Sequence, residues 1–202
     1  ALYAIAYRAL RNRGWSTAAV AIPILLLLEW GYPALFPTYI ANSFYMLTLP
    51  NQIADLGGPL LVSALIGAVN LSAFEAWRWS RKQRSAPRLV WGLTAAFALF
   101  SLVYGTIRVR QVEARMQDAP SLRLGIVQVN MGIFEKRTEA IEGHRRHLEQ
   151  SRELEKEGEL DLIVWPESAY IDGLPRELPW NADRVRKDLN TPLLFGGIST
   201  DY

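Results

Sequence analysis

One stretch of the chain runs from apolar residues straight into a proline and a carboxylate: Asp161-Leu-Ile-Val-Trp-Pro-Glu167-Ser-Ala169. Leu, Ile, Val and Trp in succession read as a buried strand, and a proline stops the ladder because it has no N–H to give. Glu167 is therefore expected at a strand end, partly desolvated, a setting that makes a carboxylate a better proton acceptor near neutral pH. That is what a general base for a thiol or a water needs. The competing use of the same residue is to cap a helix or pair with an arginine. No cysteine occurs among the 202 residues, so these residues supply no disulfide, thiolate metal site or thiol nucleophile.

Other chemistry-bearing residues are less specific. His144 and His147 form an H-x-x-H that could hold a metal, but no third ligand stands at a recognisable spacing, and a half-buried or solvated pair is the expectation. No metal or cofactor is expected. Glu149, Glu153, Glu155, Glu157 and Glu159, mixed with Arg145, Arg146, Arg152 and Lys156, read as an exposed helix face with local ion pairs. Gly196-Gly197 reads as a bend or close packing, since no phosphate-loop pattern surrounds it.

The elements that must position Glu167 follow from pattern. Residues 122–130 (LRLGIVQVN) have the β-branched, apolar character of a strand buried on both faces. Residues 138–158 predict a helix with Ile141, His144, Leu148, Ser151 and Leu154 or Glu155 on its packing stripe and Gly158 at its end. Residues 161–165 and 192–197 predict two more strands, with a short polar connection, helical around 183–189, before the last. Strand, helix, strand, helix, strand argues for a parallel sheet whose active site gathers beyond the carboxyl ends of the strands, where Asn130, Glu167 and Gly196-Gly197 fall.

The first part of the chain has a different composition. Up to Asp118 it carries eleven Lys/Arg against five Asp/Glu, and from Ala119 onward eleven against fifteen. A boundary is expected there, with domains over 1–118 and 119–202. The excess arginine lies beside apolar segments and not on one folded face, which argues against nucleic acid as a partner. Three segments approach the roughly 20 apolar residues needed to cross a bilayer: about 17–35, 59–77 and 89–107.

Arg8, Arg11 and Arg13 precede the first of these, and Arg78, Arg81, Lys82, Arg84 and Arg88 lie between the second and third. Residues 36–58 carry no Lys or Arg. The positive-inside rule then places both arginine-rich loops in the cytoplasm and everything after about residue 108 outside. Arg108 and Arg110 run against the simple rule, which long translocated domains largely escape. Trp15, Trp30, Tyr32, Trp77, Trp79 and Trp91 stand near span ends as an aromatic belt would. Glu29 is expected at headgroup level just past a helix ending at Leu28, with a carboxylate lining a lipid or substrate opening as its alternative role. The chain begins on Ala1 and ends on Tyr202 directly after a strand-like run, and is expected to be an internal fragment.

LRLGIVQVN and DLIVWPESA, joined through an amphipathic helix and followed by TPLLFGG, resemble the opening of a nitrilase-superfamily (carbon-nitrogen hydrolase) domain. Glu29-Trp30, and Gln52-Ile-Ala-Asp55-Leu-Gly-Gly58 leading into residues 60–70, resemble the apolipoprotein N-acyltransferase family within it. The resemblance covers nearly the whole chain. It implies a multi-span helical membrane region followed by the first part of an αββα sandwich, in a bacterial inner membrane with the catalytic domain on the periplasmic side.

The resemblance also implies a Glu-Lys-Cys triad, of which only the Glu maps here, onto Glu167. Lys187 precedes the last strand and is too early to be the lysine. After the first strand the family often has Lys-Trp where this chain has Lys136-Arg137, so a substrate contact through that Trp is not expected. The implied activity is transfer of an acyl chain from a phospholipid, through a cysteine thioester, to the α-amine of a diacylglyceryl-modified apolipoprotein. The fragment alone, lacking the nucleophile, is expected to be inactive. A membrane-tethered amidase or nitrilase and a non-catalytic anchored binding protein are the alternatives.

Overall fold

The computed structural model describes residues 1–33, 35–36, 38–83, 85–167, 169–175 and 182–200. They form two compact units, Ala1–Ala119 and Pro120–Tyr202. The first unit is helical. In the second, helices accompany a small parallel sheet.

In the first unit, α1 (Leu2–Asn12) turns back through Gly14 into α2 (Thr17–Gly31), whose start is capped by the Ser16 hydroxyl accepting from the Ala19 N–H at 3.2 Å. The first expected span is shorter than its 17–35 range. At 15 residues α2 is about 22 Å long, against about 30 Å of hydrocarbon in a bilayer. It stops because Tyr32 is extended ahead of Pro33, and a residue before proline is pushed out of the helical region. Glu29 consequently lies inside the last helical turn and not beyond it.

Among the described residues two helices are long and apolar enough to cross a membrane, α4 (Ala54–Ser80) and α5 (Arg88–Gln117). Backbone geometry breaks α4 at Gly57 and Gly58, the latter at φ 62° and ψ −167°, a region open essentially to glycine alone. Pro59 then begins the straight part, as proline does at a helix start. Over its 30 residues α5 is about 45 Å long and continues well past the expected end at residue 107.

Between α2 and α4 lie a 3-10 turn, Ile40–Phe44, and a single helical turn, α3 (Thr48–Asn51). Their core joins Ala41 and Ile53 to Val62 and Leu65 of α4, with Phe97 and Tyr104 of α5 packed against it. Gly105 makes this possible, since a Cβ there would stand 2.0 Å from the Leu49 carbonyl oxygen. The Ala41 N–H donates to Ser63 Oγ at 3.2 Å, and Arg108 Nε contacts Asp55 Oδ2 at 2.5 Å. An arginine that ran against the charge rule thus has a carboxylate of its own.

In the second unit β1 (Leu124–Ile126), β2 (Leu162–Val164) and β4 (Leu193–Leu194) form a parallel sheet in the order β1-β2-β4. A second parallel pair joins β3 (Tyr170–Pro175) to β5 (Gly197–Thr200), which sequence pattern did not anticipate. The helices are α6 (Ile133–Thr138), α7 (Ala140–Glu157) and α8 (Ala182–Arg186). Leu148 of α7 and Val185 of α8 meet Val127, Ile163, Trp165, Tyr170 and Leu189 in the core.

One expectation fails here, and another holds in all but one residue. The first strand is not buried on both faces, because Ile126 is 73% exposed while Val127 is 1% exposed. Helix α7 covers one face, and no described layer covers the other. The packing stripe of α7 holds at His144, Leu148, Ser151 and Leu154, is widened by the buried Gly143 and His147, and loses Ile141, which is 81% exposed. Gly125, where a Cβ would meet Leu160 and Leu154 at 2.9 and 3.1 Å, lets the helix approach the sheet on that face.

Candidate active site

Glu167 follows the central strand, and its position is set by ladder bonds on both sides. The Val127 N–H donates to the Val164 carbonyl at 3.0 Å, and the Trp165 N–H to the Leu194 carbonyl at 2.9 Å. Pro166 ends the ladder, and the Ala169 N–H returns to the Pro166 carbonyl at 3.2 Å, closing a turn that contains Glu167. Trp165 and Ala169 enter the core on either side, whereas Glu167 itself is exposed. The expected desolvation is therefore absent: the turn lifts the carboxylate clear of the core that its neighbours enter. Among the described residues no hydrogen-bond or ionic partner reaches it.

Because all three strands are parallel, Asn130, Glu167 and Gly196-Gly197 do lie beyond the same ends of the sheet. Asn130 has a positive φ of 51°, a conformation asparagine tolerates better than most residues. The Tyr170 N–H donates to the Gly196 carbonyl at 3.3 Å, so the glycine pair marks where β4 gives way to β5. The chain crosses from one sheet to the other twice at this end, and Glu167 sits in one of the two crossings.

Behind Glu167 stands a polar and aromatic network that sequence reading had only in part. Trp165 Nε1 donates to Ser151 Oγ at 2.9 Å, and that hydroxyl donates to the His147 carbonyl at 2.7 Å. Trp165 packs against His147 with ring centroids 5.0 Å apart, and His144 stacks edge-on against Tyr170 at 5.1 Å. His147 Nδ1 donates to the Gly143 carbonyl at 2.7 Å, while His144 Nε2 hydrogen-bonds the Val185 carbonyl at 2.8 Å. Burial holds the His147 imidazole below its ordinary pKa. The H-x-x-H spacing thus serves packing of the helix onto the sheet, and no group of three metal-ligating side chains occurs among the described residues. The clue in the sequence was Ser151 four residues after His147, on the face that also receives Trp165.

The charged face of α7 divides in two. Arg145 and Arg146 pair locally with Glu142, whose carboxyl is held down at about 2 by the two guanidinium groups, and Arg145 also pairs with Glu149. Other members reach off the helix. Arg152 binds Asp188 through Nε and Nη2 at 3.0 and 2.6 Å, and Glu155 Oε1 accepts from the Asn190 and Thr191 N–H groups at 2.9 and 2.7 Å. These contacts fix the approach of the chain to the amino-terminal end of β4.

Glu167 lines neither of two cavities found among the described residues. A shallow depression of about 580 Å³ lined by Glu155, Asp161, Asn190 and Thr191 lies at the amino-terminal ends of the strands, opposite the Glu167 end. In the first unit a groove of about 480 Å³ runs between α1, α2 and α4, lined by Tyr3, Tyr7, Leu25, Asn70 and Phe74 among others. Glu29 Oε1 accepts from the Ile40 N–H at 2.7 Å, which ties the end of α2 to the 3-10 turn. Comparison with protein-family models, with curated proteins and with solved structures finds no match for this chain.

Proposed function

We propose that the chain is the membrane-anchored, base-bearing part of an acyltransferase that moves a fatty acyl group from a phospholipid to the terminal amine of a diacylglyceryl apolipoprotein. The observation that carries this reading is Glu167, a solvent-reachable carboxylate just past the central strand of a parallel sheet, in a chain with two helices of membrane-crossing length. Support comes also from the sequence resemblance around Glu167 and the Gln52–Gly58 segment. In this reading the exposed face of β1 and β2 receives a second layer, making the αββα sandwich, and the second unit lies on the periplasmic side of a bacterial inner membrane.

The chemistry would proceed in two halves. Glu167 takes the proton of a cysteine thiol, and the thiolate attacks the phospholipid ester carbonyl. A lysine stabilises the oxyanion of the tetrahedral intermediate, and a lysophospholipid leaves with the proton returned from Glu167. The lipoprotein amine, deprotonated with help from Glu167, then attacks the thioester. An amide forms and the thiol is regenerated. These residues include no thiol, so in this reading the cysteine and the lysine that the resemblance implies are supplied from outside these 202 residues. An exposed Glu167 suits a base whose desolvation is completed by those partners.

The test uses the protein carrying that cysteine, a phospholipid with a labelled acyl chain and a diacylglyceryl peptide. Hydroxylamine-sensitive label on the enzyme followed by label on the peptide amine is the expected result. Release of free fatty acid or hydrolysis of amides without peptide acylation would favour the amidase alternative. Unchanged acylation by Glu167→Gln would remove Glu167 from the mechanism.

A further inference from the structure

The stretch between α2 and α4 combines two properties that exclude each other in most surroundings. Its outer surface sets large apolar side chains among small uncharged polar ones: Leu35, Phe36, Tyr45, Met46 and Leu47 are exposed, Tyr45 and Met46 by 77% and 74%, beside Asn42, Ser43 and Thr48. Residues 36–54 contain no charged side chain at all. So many large apolar side chains exposed within one short stretch are unfavourable in bulk water. Its backbone, however, is irregular, with only a five-residue 3-10 turn and a four-residue helical turn. Backbone groups outside such short turns need water or protein partners, which hydrocarbon does not provide.

Both conditions are met together at one depth, the boundary between headgroups and acyl chains. Water still reaches the backbone there, and acyl chains cover the side chains. The flanking residues fit that level, since Trp30 and Tyr32 are exposed amphipathic rings of the kind that gather at membrane interfaces. The stretch cannot drift away from the helices that set its depth. Leu49 lies against Gly105, Asp55 pairs with Arg108, the Ala41 N–H is held by Ser63 and the Ile40 N–H by Glu29.

We propose that residues 38–56 form an interfacial collar clamped to α4 and α5, whose tip at Tyr45, Met46 and Leu47 inserts into the headgroup–acyl boundary of a lipid leaflet. The lipid surface is its ligand. The collar rests on α4 and α5 crossing a bilayer, but not on any catalytic role for Glu167.

The cysteine-free chain permits a direct test. Single cysteines placed by Tyr45→Cys, Met46→Cys, Leu99→Cys and Glu149→Cys are nitroxide-labelled, and the full chain is reconstituted into phosphatidylcholine vesicles. Collisional accessibility to oxygen, which concentrates in lipid, is compared with that to a water-soluble nickel chelate. Leu99, exposed near the middle of α5, is the deep reference, and Glu149, exposed on α7, is the aqueous one. The oxygen-to-nickel ratio at Tyr45 and Met46 is expected several-fold above that at Glu149 and below that at Leu99. Collar labels as nickel-accessible as Glu149, with Leu99 still deep, would overturn the collar and leave the spanning helices standing. Collar labels as deep as Leu99 would overturn it as well. If Leu99 itself were aqueous, both the collar and the spanning helices would fall.

Discussion

The two units of this chain share an apolar interior and differ in what they expose. In Ala1–Ala119 the outward surface of α5 presents Leu89, Leu93, Leu99 and Val103, over an interior of Val20, Ile53, Val62 and Leu65 that also takes in Thr17, Ser63, Glu75 and Ser101. In Pro120–Tyr202 the interior is Val127, Leu148, Ile163, Val185 and Leu189, and the charges of α7 lie outside. A helix apolar on its exposed side suits a lipid surrounding, and a polar exterior over an apolar core suits water. The difference teaches that hydropathy alone does not locate a core. Apolar packing and bonds between side chains and backbone occur in both units, and the first adds the close approach at Gly105.

The largest effect that would sharpen this contrast concerns chemistry confined to the second unit. In the protein bearing the nucleophile, Glu167→Gln is expected to lower acyl transfer by about 10²–10⁴-fold, the usual worth of a general base, with the melting temperature unchanged because the side chain is exposed. A lowered melting temperature with retained transfer would make it a structural residue. Next, Ile163→Ala should cost about 2–5 kcal/mol of stability, since Ile163 is fully buried in the water-excluding core. Denaturant unfolding followed through Trp165 fluorescence measures it. A loss under 1 kcal/mol would mean that burial of apolar area is not what holds the second unit.

In the first unit the matching experiment adds volume. Gly105→Val should destabilise by about 1–3 kcal/mol or more through overpacking, because its Cβ would meet the Leu49 carbonyl. Thermal unfolding in detergent reads the loss, and a neutral result would remove the close approach of α3 to α5.

A smaller effect follows from His147. Its pKa is lowered in the folded state, so its contribution is fully present above the unfolded value near 6.5 and is lost as pH falls through the folded one. The second unit should therefore lose stability on acidification below about pH 6.5, and His147→Phe should remove that component. The smallest effect is at the helix surface. Arg145→Ala should let the Glu142 carboxyl rise from about 2 toward 4.5, visible by carbon NMR titration, with little change in unfolding.

Much of the local structure was legible because it depends on near neighbours. Pro59 after two glycines announced the start of the straight part of α4, Gly158 closed α7, and Pro166 ended the ladder beyond β2. The end of α2 was misplaced because apolar composition continues to Leu35, while the backbone obeys the restriction that Pro33 imposes on Tyr32. On α7 both His144 and His147 fit a helical stripe, and only contact with Trp165 and the sheet selected the face that leaves Ile141 in solvent. Around Glu167, position at the strand end was readable from Val-Trp-Pro-Glu. Its exposure was not, since that depends on how the turn leaves the core.

By itself the sequence determined where strands and helices start and stop at proline and glycine, which residues carry ionisable groups, and that α4 and α5 are apolar over membrane-crossing lengths, since all of these follow from local sterics and composition. Tertiary structure alone decided that Arg108 meets Asp55, that Glu29 holds Ile40, that β3 pairs with β5, and that His147 is buried while Glu167 is not. Those outcomes join residues distant in the chain, and burial and pairing are properties of the packed whole that no local pattern encodes.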